Sequence, residues 1–265
     1  MLSSCALHIS LMTTRRISVG SLAWARRTGG RIDSIDRLRF MVQAMLFRLN
    51  QRLRRRRTPP FSFDVASIRI PDSVVCVAAS ELLASVSEPW LVNHCWRTFL
   101  WATILGKSER LKYDAELLFV SSALHDLGLT DAGAALSATP AGCFAVAGAF
   151  AAEVFLSRQG VIDARSTIVA EAIALHLNVR VPLTHGVEAH LLHAGAGLDV
   201  IGARYGAVAD GTRNDVVQLH PRLHMKSCLV PLMKRQSNAR PSSRAAFLCR
   251  HGLISMIRHS PFAEP

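Results

Sequence analysis

The chain has 265 residues, half of them apolar and few of them aromatic, and a formal charge of +12. That length suits one large domain with an appendage, and no apolar run reaches the roughly 20 residues that a bilayer-spanning helix needs. The charge is unevenly spread: thirteen arginines and two aspartates fall in residues 1–60, which leaves the remainder close to neutral. A nucleic-acid argument from basicity therefore applies to that first segment alone.

Residues 1–32 hold five arginines and no acidic residue. They read as a disordered overhang, with an Arg-rich, Ser-rich targeting segment as the alternative. From Ser34 to Arg57, Ile35, Leu38, Met41 or Val42, Met45, Leu46, Leu49 and Leu53 recur at helical spacing. Arg37, Arg39, Arg48 and Arg52 flank them, and Arg54 to Arg57 close the run. This predicts a basic amphipathic helix over 34–57. It either packs on the main domain with a solvated arginine face or contacts an anionic membrane or nucleic acid. Pro59-Pro60 breaks the pattern and marks a boundary between a 1–60 extension and a 61–265 domain.

Beyond Pro71 the spacing is helical almost without pause. Asp72 caps a helix to Ser85, Pro89 opens one to Leu105 that stops at Gly106, and Asp114 opens one that stops at Gly128. Phe144 to Arg158 and Asp163 or Ser166 to Asn178 follow. Gly186–His193 and Leu198–Arg204 read as two short helices parted by Gly195-Ala196-Gly197. Asn214–Leu219, Arg222–Lys234 and Ser242–Arg250 complete an all-α bundle of about eight to ten helices, with no alternating strand pattern. The six cysteines form no C-x-x-C, which suits reduced thiols in a cytoplasmic protein.

The chemistry concentrates at "VSSALHDLGL", residues 120–129, where His125-Asp126 ends an apolar run. A carboxylate and an imidazole in such a segment need a metal, a cation or hydrogen bonds to offset their burial. His94 upstream and His176 and Asp199 downstream are further candidate ligands. Arg97 lies three residues after His94 and shares its helical face. His190 and His193 also share a face, as a second-metal pair or a surface pair.

The order of His94, His125-Asp126 and Asp199 resembles the HD superfamily of metal-dependent hydrolases, in the branch that includes cyanamide hydratase. "NHCWRTFLWA", "LLFVSSALHDLGLT", "AIALHLN" and "GAGLDVIG" each look like a family block in the family's order. The resemblance implies a helical HD domain over most of the chain. It implies His94, His125, Asp126 and Asp199 as ligands of a divalent zinc, iron or manganese ion, with zinc favoured. It also puts His176 at the mouth of the site; the helix-end context of His176 equally suits a cap. The implied activity is attack of an activated water on a small molecule, either a nitrile or a phosphate ester. Asp126 or His176 would move the proton and Arg97 would hold developing charge. A small-molecule substrate and a homo-oligomer are the implied partners. The sequence departs from its relatives after the HD pair, where Phe144-Ala145 and Gly148–Ala152 lack their acidic groups. That departure motivates an alternative: a catalytically degenerate HD domain that serves as a binding or regulatory module tethered by the arginine-rich helix.

Overall fold

A computed structural model describes residues 17–53, 59–137 and 140–264. The residues before Ile17 and the run Arg54–Arg57 lie outside the described residues. Thirteen α-helices and no strand occur among those described, as the all-α expectation requires. In chain order they are α1 (Leu22–Thr28), α2 (Ser34–Leu53), α3 (Val74–Val86), α4 (Pro89–Ser108) and α5 (Ala115–Leu124), then α6 (Asp131–Ala135), α7 (Phe144–Arg158), α8 (Ala164–Leu175) and α9 (Val187–Ile201). The last four are α10 (Asp210–Leu219), α11 (Met225–Ala239), α12 (Arg244–Arg250) and α13 (Leu253–Arg258). None is long and apolar enough to cross a membrane.

Local chemistry explains the starts. Pro89 sits in the first turn of α4, where its missing N–H costs nothing. The Asp114 carboxylate accepts from the amides of Glu116 and Leu117 at the head of α5. Ser73, rather than the expected Asp72, caps α3 by accepting from the Cys76 amide.

Helix α4 is the axis of the bundle, buried along most of its length, and it packs most extensively on α9. The expected break at Gly195-Ala196-Gly197 is absent, because α9 runs unbroken from Val187 to Ile201. Its glycine serves a close approach instead: a Cβ on Gly195 would collide with the Thr98 carbonyl oxygen of α4. Helices α5, α7 and α8 close the other side of this pair.

The expected boundary at Pro60 does not separate two bodies. Trp24, Ala25 and Phe40 are fully buried in the same core as α4 and α8. The Trp24 indole N–H donates to Asp36, and Phe40 meets the Phe247 ring edge-on. Asn178 donates to the Val19 carbonyl, and the Arg244 guanidinium lies over the Trp24 ring. The segment before α2 is thus part of the fold, held by aromatic burial that a charge profile does not register.

Candidate metal centre

Three side chains from two elements converge at the centre of the bundle. His94 projects from the middle of α4. His125 caps the C-terminus of α5, and Asp126 follows in a tight turn. That turn lies hard against α7, since a Cβ on Gly128 would collide with the Phe144 carbonyl and one on Gly148 would press on the His125 carbonyl. Gly128 is therefore less a helix stop than the contact that seats the HD turn. The run Phe144–Ala152 is a buried apolar stretch of α7.

His94 Nε2 lies 3.2 Å from His125 Nε2 and 3.4 Å from Asp126 Oδ2, and His125 Nε2 lies 3.3 Å from that same oxygen. Ligands held about 2.1 Å from a tetrahedral ion sit about 3.4 Å from one another. All three pairs match this spacing. The tautomers agree as well. His94 Nδ1 donates to the Asp199 carboxylate at 2.8 Å, and His125 Nδ1 donates to the Ser122 carbonyl at 2.8 Å. Both Nε2 atoms then present lone pairs to each other and to a carboxylate. Three acceptors facing one point need a cation or a proton between them. The group His94, His125 and Asp126 could hold a metal ion.

Without a metal, a proton takes the cation's place. Burial works against the His125 imidazolium, but the Asp126 charge more than offsets it and the pKa rises to about 10. His94 also moves upward: burial opposes its charge, and the Asp126 and Asp199 carboxylates outweigh it. Burial alone would raise Asp126, yet His125 holds it well below the usual carboxylate range.

Asp199 stands elsewhere than expected. It lies behind His94, and its two oxygens receive five donors: His94 Nδ1, Arg97 Nε and Nη2, Trp101 Nε1, and Arg222 Nη1 at 3.2 Å. A carboxylate offers about four lone-pair directions, so no capacity is left for a metal. Asp199, expected as a ligand, is thus outside the group of atoms that could hold a metal ion, and its hydrogen bond fixes the His94 ring instead. Burial would raise its pKa, but Arg97 and the other donors hold it well below the normal range.

Arg97 is corrected in turn. Its Nε and Nη2 are spent on Asp199, and its Nη1 donates to the carbonyls of His220 and Pro221. Fully buried behind Asp199, it does not face the three converging donors. Trp101 and Arg222 were not among the expected residues. Trp101 was findable, since His94, Arg97 and Trp101 repeat at i, i+3 and i+7 on one face of α4. Nothing in the sequence around Arg222 marks it.

His176 caps α8 and does reach the site. Its Nδ1 donates to the Ile173 carbonyl at 2.7 Å, and its Nε2 lies 3.5 Å from Asp126 Oδ1, the oxygen turned away from the histidine pair. Burial, aided by the His125 charge, pushes its pKa down to about 3, so the ring is neutral with a free lone pair. His190 and His193 form no metal pair: His193 Nδ1 donates to the His176 carbonyl, and His190 pairs with the Val181 carbonyl and Glu109. Cys95 lies 3.9 Å from His125 Nδ1, and burial pushes its thiol upward, away from a nucleophilic thiolate.

No family model and no curated protein sequence matches the chain.

Proposed function

We propose that the chain is a metal-dependent hydrolase or hydro-lyase of HD type, in which His94, His125 and Asp126 hold a divalent ion, zinc by preference. The observation that carries this reading is the tetrahedral spacing of three acceptor atoms, two of them on imidazoles whose Nδ1 partners turn Nε2 toward the common point. Two imidazoles and one carboxylate are a donor set suited to zinc, and zinc held by three protein ligands would take water as its fourth. Such an ion, when bound, lowers the pKa of a water so that it is nucleophilic near neutral pH.

The chain's own residues supply the rest. Asp199 and the Ser122 carbonyl hold the two imidazoles in the tautomers that ligation requires. Asp126 Oδ1 and the neutral His176 Nε2 form the pair that accepts and returns a proton. The Ile173 carbonyl keeps His176 aimed at that oxygen. Asp126 and His176 are 7% and 8% exposed whereas His94 and His125 are 1%, so the Asp126 side is the less deeply buried side of the centre. Arg97 and Arg222 are both committed to Asp199, which favours a small, weakly charged substrate such as a nitrile over a phosphate ester.

Metal analysis of the purified protein tests the premise. About one divalent ion per chain is expected, lost in His125→Ala and retained in His176→Gln. His176→Gln should lower nitrile hydration at least about a hundredfold with its metal intact. Absence of stoichiometric metal ends the reading. Metal without turnover of nitriles or phosphate esters leaves the second reading, a regulatory HD module, which the near-complete burial of the centre favours.

A further inference from the structure

Helix α2 attaches to the fold by one face only, through Asp36 and Phe40. At roughly 100° per residue, Ile35, Leu38, Val42 and Met45 fall on the opposite side. These four, with Met41 and Leu46, are 47–68% exposed, which corrects the expectation of an apolar face packed on the domain. Arg37 and Arg39 are exposed at the two edges of this strip. The helical backbone continues to Leu53, and the sequence adds Arg48, Arg52 and Arg54–Arg57. A continuous apolar face of this kind on a soluble surface marks an interaction site.

Charge decides the occupant. A second copy would set arginines against arginines. A nucleic acid would pair the arginines and leave six large apolar side chains in water. An anionic bilayer takes both: the side chains enter the acyl boundary while the rim arginines meet the headgroups. We infer that α2 is an interfacial helix that docks this protein on an anionic lipid surface. Its opposite face, pinned by Trp24 and Phe247, carries the bundle on top of it. This docking is independent of the chemistry at His94, His125 and Asp126.

Co-sedimentation of the full chain with vesicles tests it. Binding to phosphatidylcholine–phosphatidylserine vesicles is expected, with weaker binding to phosphatidylcholine alone. Leu38→Glu with Met45→Glu should lower the partition coefficient by about a hundredfold, because each buried apolar side chain is worth about tenfold. The melting temperature should stay unchanged, because both positions are solvent-facing. Should that pair perturb folding, Leu38→Gln with Met45→Gln gives the same readout without added charge. Three results overturn the inference: no binding to anionic vesicles, equal binding by wild type and variants, or a lipid-free dimer in the ultracentrifuge that the variants dissolve. A duplex DNA or RNA complex unaffected by the variants, with no vesicle binding, also overturns it.

Discussion

Replacing Asp199 by Asn keeps the shape of the side chain and removes the one charge on which five donors converge. Arg97 and Arg222 are then fully buried cations without their counter-ion, and among the described residues Glu264, 3.7 Å from Arg222 Nε, is the carboxylate left to pair with them. Breaking a buried ion pair by neutralising one partner costs about 3–5 kcal/mol, on the order of 10 °C in Tm for a chain of this size. His94 meanwhile loses the acceptor that holds its ring, so metal affinity should fall about 10–100-fold rather than vanish. The pH dependence has a definite sign. The folded-state pKa of Asp199 is depressed, so its contribution is fully present above the unfolded value of about 3.9 and is lost as pH falls through the lower folded value. The Asp199 part of the wild-type advantage over Asp199→Asn should shrink in strong acid, as pH falls through the depressed folded value. Urea unfolding across pH and metal titration of the folded variant measure both effects. A destabilisation below about 1 kcal/mol would refute the buried-pair argument. Complete loss of metal from a folded variant would restore Asp199 as a ligand.

Four further outcomes follow from the same geometry. Zinc binding to the metal-free protein at pH 8 should release protons, because His125 titrates at about 10 there and must be unprotonated to ligate; calorimetry in buffers of different ionisation enthalpy counts them. By the same raised pKa, the contribution of His125 to metal-free stability is complete below the unfolded value of about 6.5 and is lost as pH rises through about 10. Gly195→Ala should cost about 1–3 kcal/mol in urea unfolding, because its methyl meets the Thr98 carbonyl of α4; a neutral result would show that α4 and α9 have slack there. Trp24→Ala should cost about 3–5 kcal/mol, whereas a merely appended N-terminal tail predicts almost nothing.

Periodicity announced the helices, and the His-Asp pair at the end of an apolar run announced the centre, because both signals are local. What stayed hidden depended on partners distant in the chain. Gly195 reads as a breaker until α4 is seen against it, since close approach and chain reversal ask for the same residue. Trp24 lies in a stretch without acids, and its charge surroundings say nothing of the core that buries it or of Arg244, which lies over its ring. Asp199 is the most instructive case. The sequence places a carboxylate in the bundle, but its role is decided by how many donors reach it. One of the four donor residues, Arg222, is not marked in the chain at all, and Trp101 is marked only by sharing the face of α4 that carries His94 and Arg97. Once both arginines and the indole are on its oxygens, Asp199 orients His94 and leaves the direct contacts to three residues. That saturation, more than the histidines themselves, leaves three ligand atoms rather than four around the point where a metal ion could sit.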